Sequence, residues 1–141
     1  SWAQESSEIA DFWSMLQGFQ TSGKCIEKAH YRIRYMKSFR PLSVKEDIEF
    51  KEARPILYLN TAAVASLFKA GIAGSTSNRS NWSTIMSYLK SHASYLGLKQ
   101  DRFTILLPSG LPDYTIDIVN GEQVKKVKVN RPKALCFDYL Q

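Results

Sequence analysis

Apolar residues recur along the chain with two periods, and the alternation between these periods predicts the order of the elements. Spacings of three and four, typical of helices, occupy residues 7–22, 62–70 and 82–94. Spacings of two, typical of strands, occupy residues 30–36, 47–52, 55–59, 102–107, 114–119, 123–129 and 133–139. Asn120-Gly121 lies between two of these strands and predicts a tight hairpin, because a type I′ turn needs two residues that tolerate positive φ.

In chain order these elements are helix, hairpin, strand, helix, helix, strand, hairpin and strand. Once the first hairpin is treated as an insertion, this is the order of a winged helix-turn-helix, an α+β fold with three helices and a small antiparallel sheet. We therefore expect one winged-helix domain over residues 1–141, with a basic hairpin inserted at 24–54 and a wing hairpin at 108–133. The first residue, Ser1 in place of Met, favours a piece of a longer protein.

The distribution of charge along the chain is more informative than its net value of +6. Residues 28–45, 61–100 and 123–133 contain Lys or Arg and no acid. Such stretches suit a polyanionic partner, because each phosphate neutralised by Lys or Arg releases condensed counterions. We therefore expect a nucleic-acid partner.

The second helix of the predicted helix-turn-helix pair is the natural reader of the major groove. Its polar face is rich in serine, a mediocre helix former whose small hydroxyl permits close approach to phosphates and base edges. The residues expected to contact DNA here are Arg79, Ser80, Asn81, Ser83, Thr84, Ser87 and Lys90. The alternative is a solvated helix face on which the serines are incidental.

The predicted wing offers a second set of cations, and we expect it to lie beside the polar face of the helix. Lys126 and Lys128 share one face and Val127 and Val129 the other, which predicts a basic outer face over an apolar inner face. The wing residues expected to contact phosphates are Lys125, Lys126, Lys128 and Arg131. The alternative is a solvated hairpin whose lysines only prevent edge-to-edge pairing.

A third candidate patch lies in the first predicted strand, where Arg32 and Arg34 alternate with Tyr31 and Tyr35. Basic residues beside aromatic ones can stack the bases of a single strand. Alternation places the tyrosines on the face opposite the arginines, however, which favours tyrosines that belong to the core.

No catalytic pattern is present in the sequence. His30 and His92 lack metal-ligand spacing, and there is no phosphate-binding loop, GxGxxG fingerprint or nucleophile elbow. The acids that could share a divalent ion match no metal-loop spacing: Asp113, Asp117 and Asp138. We therefore expect no catalytic residues, no metal and no cofactor, and a nuclease or strand-transfer site is the weakest alternative.

The two cysteines and the hydropathy of the chain bear on its compartment. Cys25 and Cys136 lie far apart in apolar surroundings without a signal peptide, which favours reduced core thiols. No apolar run reaches the ~20 residues that a membrane span needs. We therefore expect a cytoplasmic protein without membrane contact.

Strings of mostly aromatic and aliphatic residues are spread over nearly the whole chain: Asp11-Phe12-Trp13, 23–35, 53–59, 88–97, Arg102-Phe103 and 134–139. In these strings the chain resembles the C-terminal, winged-helix-like region of primase–helicase-type replication proteins of Bacteroidales phages and mobile elements. The resemblance implies a domain beside an ATPase or primase module of the same polypeptide, acting in DNA replication or transfer. Because the matching residues are apolar, it implies a shared core more than a shared site, and the nucleotide-binding loop of such a motor is absent from this sequence.

The sequence therefore predicts a DNA-binding accessory domain that prefers duplex to single-stranded DNA and is not itself an enzyme. The alternative is a docking module within a replication complex that does not contact nucleic acid, because fold does not determine function.

Overall fold

The structure is a computed structural model, and it describes residues 7–73 and 81–139. Within these residues the helices are α1 (Ser7–Thr21), α2 (Thr61–Ala73) and α3 (Trp82–Lys90). The strands are β1 (Tyr31–Phe39), β2 (Ile48–Asn60), β3 (Tyr95–Gln100), β4 (Phe103–Thr104), β5 (Tyr114–Val119), β6 (Glu122–Val127), β7 (Val129–Asn130) and β8 (Lys133–Asp138).

The prediction of a winged helix-turn-helix is wrong. The main feature is a four-stranded antiparallel sheet in the order β1-β2-β8-β3, and two further two-stranded sheets pair β4 with β7 and β5 with β6. Strands β1 and β2, expected as an inserted hairpin, form half of the main sheet. The prediction failed because the order of elements along the chain does not fix which strands pair, and the last strand lies between β2 and β3.

The three helices cover one face of the main sheet. Each presents apolar side chains at helical spacing, and these meet alternate residues of β2 and β8. The indole of Trp13 lies edge-on against the ring of Phe137, with centroids 5.6 Å apart, and joins α1 to β8. The buried members of this core are Ile9, Phe12, Leu16, Cys25, Leu59, Val64, Phe68, Ile85, Leu89, Leu135 and Phe137.

The opposite face of the sheet carries a second, smaller core because the sheet curls on itself. Its buried members are Phe39, Ile56, Tyr58, Phe103, Ala134 and Cys136. Although β1 and β3 are opposite edges of the sheet, the chain leaving β1 reaches β3, where the N–H of Leu42 donates to the carbonyl of Leu98 at 2.8 Å. Gly97 permits this approach, since a Cβ there would lie 2.7 Å from the Cβ of Pro41.

Residues 122–138 form a nearly continuous strand, which we call the long strand. It pairs in turn with β5, β4 and β3, as the partners Ile116↔Lys125, Phe103↔Asn130 and Leu98↔Leu135 show. Residues 106–112, between β4 and β5, form a loop that does not belong to either strand pairing. The β5–β6 hairpin beyond this loop extends away from the main sheet, and we call it the arm. Asn120 and Gly121 have φ of +53° and +79°, which confirms the tight hairpin predicted there.

Candidate functional site

Some polar side chains of α3 and its cap residue form hydrogen bonds with the backbone of the helix itself. The side-chain oxygen of Asn81 accepts the N–H of Thr84 at 2.9 Å and caps the helix. The hydroxyl of Ser87 donates to the carbonyl of Ser83 at 3.2 Å, while both residues are exposed. Lys90 is exposed and is the last residue of the helix, which was predicted to continue to residue 94. The two remaining predicted contacts of this set, Arg79 and Ser80, lie outside the described residues.

The end of α3 and the predicted wing lie at opposite ends of the long strand. The strand that follows α3 begins at Tyr95, which pairs with Phe137. The arm begins where the N–H of Lys128 donates to the carbonyl of Asp113, nine residues further along the long strand. At about 3.3 Å per residue, this separation is about 30 Å along the strand. The sequence analysis expected the helix face and the wing to lie side by side, and the sheet separates them.

The wing lysines predicted to contact phosphates are engaged with groups of the hairpin itself. The ammonium of Lys126 lies 3.0 Å from the carboxylate of Asp117, and that of Lys128 lies 3.5 Å from the carboxylate of Asp113. The ammonium of Lys125 lies 4.7 Å from the ring centre of Tyr114. The hydrogen bond from Lys126, reinforced by one from the N–H of Ile118, holds the pKa of Asp117 below its usual range.

The hairpin also lacks the buried inner face that was predicted for it. Every residue from 114 to 130 is exposed, including Val127 and Val129, which were expected to pack against the core. The alternation of lysine and valine was read correctly, but no other element of the described chain covers the valine side of the arm. The apolar face of the β5–β6 hairpin is therefore exposed, although the pattern predicted that it would be buried.

A concentration of cations lies instead at the end of the main sheet from which the arm emerges. Arg102 and Arg131 occupy opposite positions of the ladder, between the pairs Gln100↔Lys133 and Phe103↔Asn130. The guanidinium of Arg32 donates to the carbonyl of Arg102 at 2.8 Å. We call these residues, with one more from the adjacent turn, the basic patch: Lys28, Arg32, Arg102, Arg131 and Lys133.

The patch cations have exposed or half-exposed side chains and no neutralising partner among the described residues. The turn that carries Lys28 is held there by a hydrogen bond from the N–H of Thr104 to the carbonyl of Lys28 at 2.8 Å. By contrast, the other arginine of β1, Arg34, is bound by the buried carboxylate of Asp101 at 2.6 Å. The patch is therefore an end of the described sheet that carries several exposed or half-exposed cations without an ion-pair partner among the described residues.

The sequence analysis named only one member of the patch, Arg131, as a phosphate contact of the wing, and considered Arg32 for base stacking. Lys28, Arg102 and Lys133 were missed because they come together through strand pairing between distant parts of the chain. The acid-free stretches 28–45 and 123–133 contained Lys28 and Lys133, whereas Arg102, beside Asp101, lay in none of them.

The tyrosines considered for base stacking have different environments. The hydroxyl of Tyr31 accepts a hydrogen bond from the side-chain amide of Gln20 at 2.8 Å, and its ring is half-buried against the helices. Tyr35 is 73% exposed and is not a core residue, contrary to the expectation for it. The alternation placed both on the helix side of β1, but the helices extend only far enough to cover Tyr31.

Within the described residues, no group of three or more His, Cys, Asp and Glu side chains is arranged to hold a metal ion. Cys25 and Cys136 are buried and free, and burial raises the pKa of both thiols, that of Cys25 to about 11. Both thiols therefore remain protonated and unreactive near neutral pH.

A scan against protein-family models, a search of the curated proteins and a search of the solved structures each find no match to this chain. No helix in the described part of the chain combines the length and apolar character that crossing a membrane requires.

Proposed function

We propose that this chain binds nucleic acid, as an accessory domain of a DNA-processing protein, through phosphate contacts made by the basic patch. The observation that carries the proposal is that five cations lie at one end of the sheet without an ion-pair partner among the described residues, with Arg102, Arg131 and Lys133 on the helix side. Cations without an internal carboxylate partner are the more available for phosphates, because an existing ion pair has to be broken first. The resemblance to primase–helicase-type replication proteins points to the same class of partner.

Salt dependence tests the proposal directly. Fluorescence anisotropy would measure binding to a labelled duplex of about 20 base pairs, over about 50 to 200 mM salt. The variant Arg102→Glu/Arg131→Glu should weaken binding and lower the log–log slope by about 0.9 for each duplex phosphate contact that is lost. The matched control, Lys51→Glu/Lys69→Glu, makes the same change of charge at exposed residues outside the patch and should leave the slope close to that of the wild type.

Two outcomes would overturn the proposal. One is the absence of binding to duplex or single-stranded DNA by the folded protein at about 50 mM salt, where phosphate contacts are strongest. The other is an equal loss of slope in the patch variant and in the control, which would show that net charge alone sets the affinity.

A second candidate function, docking to another protein of a replication complex, is favoured by a different observation. Tyr114, Ile116 and Ile118 of the arm are 45%, 64% and 70% exposed, and contiguous exposed apolar residues often mark protein interfaces. Under this alternative, substitution of these residues would abolish capture of the partner protein, and substitution of the basic patch would not.

A further inference from the structure

The β5–β6 arm has one face that is apolar and positive and another that carries its acids. Cross-strand partners share a face, so the register places Tyr114, Ile116 and Ile118 on the same side as Val127, Lys125 and Gln123. We call these six residues the arm face; they include one cation and no acid. The acids Asp117 and Glu122 pair with Val124 and Val119 and lie on the opposite side.

The arm face continues along the same side of the long strand into two members of the basic patch, Arg131 and Lys133. Alternate residues of the long strand share a side, which places Lys125, Val127 and Val129 in line with Arg131 and Lys133. All five are exposed. From Gln123 to Lys133 the strand covers about 33 Å, close to the length of one turn of B-form DNA.

We propose that the arm lies in the major groove of duplex DNA with the arm face towards the base edges, while the basic patch holds the adjacent phosphates. This inference rests on the proposed function and names its partner. A two-stranded ribbon fits the major groove, which is about 12 Å wide, and is too broad for a minor groove of about 6 Å.

The side chains of the arm face match the chemistry of major-groove edges. The ammonium of Lys125 can donate to O6 and N7 of guanine, and the amide of Gln123 can pair with N6 and N7 of adenine. Ile116 and Ile118 provide apolar surface for the methyl group of thymine. Phosphate contacts fix position, whereas base-edge contacts of this kind specify sequence.

Charge favours duplex DNA over a second copy of the chain as the occupant of this face. Packing two arm faces together would bury the ammonium of Lys125 from each copy against a face that contains no acid. A duplex presents phosphates to the patch and acceptor atoms to Lys125, so both are satisfied at once.

Selection from a pool of random-sequence duplexes tests the inference. The wild type should enrich a sequence motif. The variant Ile116→Ser/Gln123→Ala should bind the unselected pool with the same salt slope but lose discrimination by about tenfold for each base contact removed. The matched control Thr115→Ala/Val124→Ala, on the other face of the arm and equally without a change of charge, should enrich the same motif as the wild type.

A second measurement replaces thymine by uracil in the selected duplex, which removes only the methyl group. This replacement should weaken binding by the wild type severalfold and leave binding by Ile116→Ser/Ile118→Ser unchanged. The inference is overturned if the wild type binds duplexes without enriching a motif, or if the arm-face variant enriches the wild-type motif. The inference is also overturned if sedimentation shows that the only effect of the arm-face variant is a loss of self-association. Failure of the folded protein to bind any duplex would instead remove the proposed function, and the inference with it.

Discussion

The guanidinium of Arg34 donates two hydrogen bonds to the carboxylate of Asp101, from Nε to Oδ2 at 2.6 Å and from Nη2 to Oδ1 at 2.9 Å. This pair joins β1 to the chain just after β3, across the second core, although the two strands are opposite edges of the sheet. Asp101 is 6% exposed and also accepts the N–H of Arg102 at 2.7 Å. The pair therefore fixes the curl of the sheet.

Replacement of Arg34 should destabilise the protein, because Asp101 stays buried after its partner is removed. Arg34→Met leaves the buried carboxylate of Asp101 with fewer partners and should lower the free energy of unfolding by about 2 kcal/mol. Urea denaturation followed by tryptophan fluorescence provides the measurement. Arg131→Met, at an exposed arginine without an ion pair, should change stability by less than about 0.5 kcal/mol, and equal losses in the two variants would refute the role of the pair.

Elements set by neighbouring residues were predictable from the sequence. The spacing of Ile85 and Leu89 gave α3, and Asn120-Gly121 gave the arm, because both signals depend on contacts within a few residues. The sequence pattern predicted two strands, over 47–52 and 55–59, where the structure has the single strand β2. Pro55 is buried in it and pairs with Tyr35, although proline is rare in a central strand.

Relationships between distant residues were not predictable. Arg34 and Asp101 are 67 residues apart, and no local pattern indicates that they meet. The basic patch likewise forms only because residues 100–104 pair with 129–133. In the wing, the period-2 pattern gave the faces of the lysines, but the acids that neutralise them come from the opposing strand and its preceding loop.

Gly97 should tolerate no side chain. Its φ of +134° is unfavourable for an L-residue, and a Cβ would lie 2.7 Å from Pro41. Gly97→Ala should lower the free energy of unfolding by about 2 kcal/mol, since backbone strain and displacement of the 40–47 segment add together. Gly18→Ala, in the exposed interior of α1 with open space around the glycine, should raise it by about 0.5 to 1 kcal/mol. Thermal unfolding of both variants would show whether the two shifts have opposite signs.

His30 should make stability fall in mild acid. The residue is 5% exposed, and its Nδ1 accepts the N–H of Ile26 at 2.9 Å, so the folded state holds the neutral imidazole. Burial lowers the pKa of His30 below its ordinary value of 6.5. Stability contributed by the neutral ring is therefore complete above pH 6.5 and declines as the pH falls below it, because the unfolded chain then binds the proton more readily.

Denaturation at several pH values would measure this effect. The slope between pH 6.5 and the lower pKa of the folded protein should approach about 1.4 kcal/mol per pH unit at most. His30→Asn retains an acceptor for the N–H of Ile26 but cannot titrate, and should flatten the profile. The slope of the wild type in His30→Asn would contradict the assignment.

Asn81 should act as a helix cap. Asn81→Ala removes the acceptor for the N–H of Thr84 and should lower the free energy of unfolding by about 1 kcal/mol, while Asn81→Asp should retain most of the stability. Duplex affinity measured well below the unfolding temperature should be unchanged in both variants. A large loss of affinity in Asn81→Ala at full stability would return this residue to the set of DNA contacts.

Lys126 and Arg131 should differ in their contribution to duplex binding, although both were expected to contact phosphates. The ammonium of Lys126 is 3.0 Å from the carboxylate of Asp117, whereas Arg131 has no ion pair among the described residues and lies opposite Arg102. Arg131→Gln should lower the log–log salt slope by about 0.9, and Lys126→Gln by much less. Asp117→Asn frees Lys126 and should strengthen binding if a phosphate comes within its reach. Equal slopes for Lys126→Gln and Arg131→Gln would show that the internal ion pair does not withhold Lys126 from the duplex, and that the wing contacts phosphates as the patch does.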